Sequence, residues 1–179
     1  GTGVGSGIVI NGNIVYGHDA FAGELGHTTI IRDGRPCGCG LKGCLETYTS
    51  ATGVARTAKE FLQRDNTPSL LRNLDIEKIS SKDIYDAAKQ GDKLALEIFE
   101  YTADIMGKAF ANFVAFSAPE AIVLFGGLTK AKEFLTENIE KSMNENMLKM
   151  WKGKVKLHYS TLKHTNAAIL GASALGREV

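Results

Sequence analysis

The longest regular signal in the chain is a stripe of apolar positions from Lys93 to Phe116. Leu94, Ile98, Phe99, Ile105, Met106, Phe110 and Phe113 recur there at i, i+3, i+4 and i+7, which predicts one long amphipathic helix stopped by Ser117-Ala118-Pro119. Its Phe and Met side chains are read as core. Helical composition also covers Leu45 to about Arg64 and Ser81 to Gln90, with Ser80 or Ser81 placed as a cap and a polar connection between the two. Thr129 opens a further helix to about Met147, and small residues from Asn166 to Leu175 form a last one. Strand signals have a different period. Ile8-Val9-Ile10 and Ile14-Val15-Tyr16 flank Asn11-Gly12-Asn13, the pattern of a hairpin with a tight turn, and β-branched Thr28 to Ile31 predicts a third strand. Ala121 to Phe125 is wholly apolar between Pro119 and Gly126-Gly127, as in a parallel strand buried on both faces, and Val155 to Tyr159 alternates. The whole order is that of an α/β domain with right-handed crossovers, without an internal repeat or a second domain.

Composition narrows the class of partner. The 179 residues are 44% hydrophobic and 23% charged with a net charge of +1, which fits one soluble domain with its own core. No run of Lys and Arg exceeds a pair, so nothing points to nucleic acid or an acidic membrane surface. No apolar stretch reaches the roughly 20 residues of a membrane span, and the glycine-rich start lacks the features of a signal peptide, so the expected location is the cytoplasm. Gly1 in place of Met, in a chain that opens within a loop, leads to the expectation of a fragment.

The segment Arg32 to Gly43 holds Asp, Pro and four glycines, and its shape must come from something other than packing. All three cysteines fall in or beside it, which rules out a disulfide framework for a domain of this size. His27, Cys37, Cys39 and Cys44 are spaced His-x9-Cys-x-Cys-x4-Cys, with glycines beside the first two thiols. Zinc takes about four nitrogen and sulfur ligands in a tetrahedron, and Cys-x-Cys is too short for an easy disulfide, so the pattern predicts a closed structural zinc site.

Two glutamates and two groups of glycines complete the candidate chemistry. Glu24 precedes His27 by three residues and Glu46 follows Cys44 by two, so two acceptors of vicinal sugar hydroxyls flank the loop. Read from the residues alone, solvated surface charges are an equal alternative. Gly1, Gly3, Gly5 and Gly7 alternate in GTGVGSG and leave bare backbone suited to phosphate, yet the segment continues as strand rather than opening a helix, which excludes a dinucleotide fingerprint. A plain hairpin reads the same. Gly126 and Gly127 follow a strand and precede a helix, where α/β sheets bind ligands and where simple turns also occur. His18, His158 and His164 carry no assigned role, and Trp151, among Lys and Gly, is read as a lid over the last strand.

The segment Glu24-Leu25-Gly26-His27, followed by Cys37-Gly38-Cys39-Gly40-Leu41-Lys42-Gly43-Cys44-Leu45-Glu46, resembles the paired signatures of the ROK family (repressors, open reading frames and kinases). The resemblance implies an actin-like ATPase, ribonuclease H-like domain. The chain, residues 1–179 with its zinc loop at 24–46, would be the larger C-terminal lobe of a two-lobed sugar kinase whose N-terminal lobe lies outside it. It further implies that Glu24, His27 and Glu46 contact a hexose such as glucose or an N-acetylhexosamine, that Thr2 and Gly3 lie near the nucleotide phosphates, and that Gly126 and Gly127 form an adenosine-side turn. The expected reaction is ATP-dependent transfer of the γ-phosphoryl group to a sugar hydroxyl, with Mg²⁺ accompanying the nucleotide. Neither a first phosphate loop nor a catalytic aspartate stands in this chain, where Asp19 and Asp33 occupy loops, so the fragment alone is expected to be inactive. The sugar-sensing lobe of a ROK transcriptional repressor is the alternative, with a winged helix upstream as the DNA-binding element, and a zinc-stiffened interaction domain without a ligand is a third. A second copy of the chain is an expected partner, through Ala167 to Ala174, although a helix buried within the chain would look the same. Metal removal is expected to loosen the sugar side while leaving the phosphate-side glycines largely in place.

Overall fold

Asn11 at φ 51° and Gly12 at φ 80° both occupy the left-handed region. They form the two-residue turn between β1 (Val9–Ile10) and β2 (Asn13–Ile14) in the computed structural model, which describes residues 2–162 and Ser173. Val9 pairs with Ile14 and Ile10 with Asn13, and the Val15 amide donates to the Ile8 carbonyl at 2.8 Å. The hairpin is shorter than its apolar runs suggest. The third strand expected over Thr28–Ile31 does not form: Thr29 makes a single antiparallel bridge to Cys44, and the Ile30 and Ile31 amides both donate to the Gly43 carbonyl. The cysteine loop takes up hydrogen bonds that a neighbouring strand would have received.

Helices follow their local signals closely. The stretch after Leu45 is two helices, α1 (Glu46–Thr49) and α2 (Ala51–Arg64), because Ser50 is extended and its hydroxyl accepts from the Gly53 amide. In α3 (Ser81–Lys89) the Ser80 hydroxyl accepts from the Asp83 amide while the Asp83 carboxylate accepts from the Ser80 amide, a complete capping box. Asp92 caps α4 (Lys93–Ser117) through the Ala95 amide at 2.9 Å and also accepts from Ser69 Oγ, which ties the polar connection to the helix start. Ala118 at φ 42° ends α4 just before Pro119, as the sequence predicts.

The remaining elements are β3 (Ala121–Leu124), a 3₁₀ turn at Gly127–Ala131, α5 (Lys132–Asn146) and β4 (Lys156–Tyr159). β3 and β4 run parallel, in register from Ala121 opposite Lys156 to Leu124 opposite Tyr159. The core lies between α4 and its neighbours. Leu94, Ile98, Phe99 and Val114 of α4 meet Ile139 and Met143 of α5, and Val54 and Ile84 bring in α2 and α3. Most of the Phe and Met stripe is thus core, while Phe116 at its end is exposed. β3 departs from expectation: Ile122 and Leu124 pack on the core, but Val123 and Phe125 are 56% and 63% exposed. Only β4 pairs with it among the described residues, so alternate side chains face outward. Trp151 packs half-buried against the core in the turns before β4. No helix of the described residues is long and apolar enough to cross a membrane. The helix expected over Asn166–Leu175, with the small-residue run and His164, falls outside the described residues apart from helical Ser173.

Ser80 Oγ and the Ser80 amide hold the Asp83 carboxyl below its ordinary pKa. That stabilisation is present above roughly pH 4 and fades as pH falls through the depressed value. Ser80→Ala is expected to cost about 1 kcal/mol at neutral pH and less in acid, measured by urea unfolding at both conditions.

Candidate functional site

His27 ends a short 3₁₀ turn, Leu25–His27, and the cysteines lie on a narrow loop closed by the bridge between Pro36 and Lys42. The Cys37 amide donates to the Leu41 carbonyl at 2.9 Å and the Gly43 amide to the Arg35 carbonyl at 2.8 Å. Gly40 and Gly43 take positive φ, which lets the chain reverse between the second and third cysteines. One donor atom from each of His27, Cys37, Cys39 and Cys44 lies within 4.8 Å of every other. Cys37 Sγ is 3.7 Å from His27 Nδ1, and Cys39 Sγ is 3.6 Å from Cys44 Sγ. A tetrahedral ion with sulfur bonds of about 2.3 Å places its sulfurs about 3.8 Å apart, so these four residues fit a metal ion of that geometry.

The thiols differ in acidity. The backbone of Leu41 hydrogen-bonds Cys39 and lowers its pKa, whereas burial pushes the wholly buried Cys44 up to about 12, with further upward contributions from Cys39 and Cys37. A divalent cation at the centre supplies the positive charge that burial withholds, so metal binding must displace the Cys44 proton.

Arg35 anchors the loop from beneath and is only 6% exposed. Its Nη1 donates to the Thr47 carbonyl at 2.7 Å and the Gly53 carbonyl at 3.1 Å, its Nη2 to Thr57 Oγ1 at 2.9 Å, and its Nε to Glu60 Oε1 at 3.1 Å. The guanidinium stacks 4.4 Å from the Tyr48 ring centroid, and the Arg35 amide donates to Tyr48 Oη at 2.9 Å. Neither residue stands out in the sequence. Arg35 is one loop arginine among many surface cations, and the Thr57 and Glu60 spacing that would receive it becomes meaningful only once α2 is placed beside the loop.

Glu46 opens α1, and its two carboxylate oxygens face different partners. Oε1 lies 3.8 Å from Cys37 Sγ, while Oε2 accepts from the Val4 amide at 2.9 Å. Two glycines allow this approach: a Cβ on Gly3 would stand 2.5 Å from Glu46 Oε2, and one on Gly26 would stand 2.0 Å from the Val4 carbonyl oxygen. Ser6 Oγ donates to the Gly23 carbonyl and accepts from the Leu25 amide at 3.1 Å. Thr52 Oγ1 donates to the Thr2 carbonyl at 3.0 Å. The glycine-rich segment is therefore stapled to the turn before His27, to α1 and to α2. By contrast Glu24 is exposed, and its carboxylate makes no hydrogen bond among the described residues.

A cleft of about 880 Å³ opens beside that segment. Gly3 to Asn11 form one wall, β3 with Gly126 and Gly127 another, and Met106, Phe110 and Phe113 of α4 lie between. Two groups of glycines distant in sequence thus share one cleft. A Cβ on Gly5, Gly7, Gly126 or Gly127 would meet nothing within 4 Å, so their backbone is open to close approach, unlike that of Gly3. Gly126 sits at φ 106°, and its carbonyl accepts from both the amide and the hydroxyl of Thr129. Leu25 and Leu45 line the cleft, each next to one of the glutamates. Asp19 is exposed beside His18, and Asp33 takes a left-handed turn conformation.

Tyr48→Phe removes the acceptor for the buried Arg35 amide with little change of shape. It should lower stability by about 1 to 3 kcal/mol, measured by urea unfolding, and an unchanged midpoint would remove Tyr48 from the anchor.

The profile of the ROK family matches residues 1–179. A glucokinase of Halalkalibacterium halodurans is 38% identical over 99% of this chain and 54% of its own length. The DNA-binding transcriptional dual regulator NagC of Escherichia coli K12 is 32% identical over 97% of this chain and 41% of its own length. Among solved structures, a ROK family glucokinase from Streptomyces griseus in complex with glucose and AMPPNP superposes with a TM-score of 0.88 at 31% identity, covering all of this chain and 59% of that one. The chain spans about half the length of the curated relatives it matches. Its fold is that of the actin-like ATPases, and the chain belongs to the ROK family.

Proposed function

We propose that this chain is the larger, C-terminal lobe of an ATP-dependent hexose kinase of the glucokinase type, with residues 1–179 forming the lobe and 24–46 its zinc loop. The observation that carries the reading is the cleft on which Gly3 to Gly7 and the Gly126-Gly127 turn converge, with the His27, Cys37, Cys39 and Cys44 cluster stapled to the first wall through Glu46. The likeness to a glucokinase holding glucose and AMPPNP supports it.

In this reading His27, Cys37, Cys39 and Cys44 hold one zinc ion, which braces the loop and leaves no position for a reactive water. Nδ1 of His27 is the nitrogen beside Cys37, so Nε2 remains to donate to a sugar oxygen. Glu46 keeps acceptor sites beyond the one given to Val4, and Glu24 is free in solvent. These three side chains orient the hexose, and their carboxylates accept from neighbouring hydroxyls. Thr2, Gly3, Gly126 and Gly127 serve the nucleotide, which arrives as the magnesium complex. A sugar-sensing lobe of a transcriptional repressor is the second reading, favoured by the match to NagC over nearly the whole chain.

Full-length protein assayed with ATP and a panel of hexoses should release ADP with glucose or an N-acetylhexosamine. Sugar-dependent release from DNA without turnover would select the repressor instead. Metal analysis of natively purified protein should find about one zinc per chain, and none would remove the brace. Glu46→Gln should raise the sugar KM about tenfold through loss of a charged acceptor, and an unchanged KM would remove Glu46 from the sugar site.

A further inference from the structure

Gly3 and Val4 are gripped from two sides by residues that belong to the two ends of the metal-ligand set. Glu46, two residues after Cys44, accepts the Val4 amide through Oε2 and touches Gly3 so closely that a Cβ there would stand 2.5 Å away. Gly26, one residue before His27, packs on the Val4 carbonyl oxygen with no room for a Cβ. The jaws are joined through the His27 and Cys44 ends of the cluster and, next to them, by the Leu45 amide donating to the Thr28 carbonyl at 3.0 Å and by the bridge of Thr29 to Cys44. Those ends approach within 4.8 Å, and the contacts between the donor atoms themselves are long and weak. The Ser6 staples attach to Gly23 and Leu25, on the same turn as His27, and would move with it. The Thr52 bond to the Thr2 carbonyl springs from α2 and does not depend on the cluster.

We propose that Glu46 is a positioning residue that transmits metal occupancy of the cysteine cluster to the backbone of the glycine-rich segment. Metal loss leaves the grip to those backbone bonds, loosens the hold of Glu46 on the Val4 amide and weakens nucleotide binding on that wall of the cleft. The nucleotide part rests on the kinase reading above. The geometry points away from the expectation that the phosphate-side glycines keep their place when the metal is removed. Thr2 stays tethered to α2, so the loosening is confined to the stretch from Gly3 to Gly7.

The test uses full-length protein, zinc-loaded or treated with a zinc-selective chelator that spares magnesium. Two quantities are read, amide hydrogen exchange in a peptide covering Gly3 to Gly7 and the Kd for MgADP. Chelation should speed the exchange and weaken MgADP by about fivefold or more. Glu46→Ala should show both effects with zinc bound, and chelation should then add nothing. Glu46→Gln keeps an acceptor oxygen for the Val4 amide, so it should restore exchange and MgADP affinity while the sugar KM stays raised. If Glu46→Ala does not fold, Gly3→Ala displaces the same carboxylate from the opposite side and is read by exchange alone, which should be fast with zinc bound and unchanged by chelation. Chelated wild type that keeps its fold, its slow exchange and its MgADP affinity would overturn the coupling, even in a protein that phosphorylates hexoses. Metal-dependent exchange at Val4 in a protein that turns over no sugar would support the coupling and overturn the kinase reading.

Discussion

The convergence of three thiols and one imidazole within 4.8 Å of one another organises the loop side of this molecule. Packing cannot hold them there, because the loop from Arg32 to Gly43 brings few apolar side chains to the core. Two other forces shape it: a ladder of backbone hydrogen bonds closing at Gly43, and the buried Arg35, whose guanidinium satisfies carbonyls of α1 and α2 while stacking on Tyr48. A buried arginine costs desolvation unless every donor finds a partner, and here the partners come from α1 and α2 at once. The loop's lower edge is thereby registered against α2. Its upper edge is left for the donor cluster to define.

Below this loop the scaffold is conventional in its physics. α4 is apolar on most of its faces because α2, α3 and α5 surround it, and Phe99 stacks on Phe134 at 5.5 Å where α4 meets α5. That packed bundle carries β3 and β4 and, through them, the Gly126-Gly127 turn. The opposite wall of the cleft rests instead on the glycine-rich segment and its staples. One wall is thus set by core packing, and the other by a few hydrogen bonds to the turn before His27, to α1 and to α2.

A glucokinase and a DNA-binding regulator both align with nearly all of this chain. The family's pattern is thus shared by proteins of both kinds, and in this chain it builds a cleft, a metal-capable loop, and acceptors held against backbone amides.

Much was legible in the residues themselves. The cap at Ser80, the stop at Ala118-Pro119, the α4 stripe and the Asn11-Gly12 turn are local: each depends on side chains within a few positions of the backbone they satisfy, so spacing alone determined them. The donor set was legible for the same reason, since His27 and the three cysteines are distinctive in type and close in sequence. The tertiary structure decided what local chemistry leaves open. Thr28 to Ile31 has strand composition but no strand to pair with, and Val123 and Phe125 are apolar yet exposed, because pairing and burial depend on what lies alongside. Arg35 and Tyr48 gained their role from the placement of α2. The Glu46 contact is the clearest case. Its partner is a backbone amide 42 residues away, a group every residue except proline presents, so no pattern of side chains could announce it before the fold brought the two together.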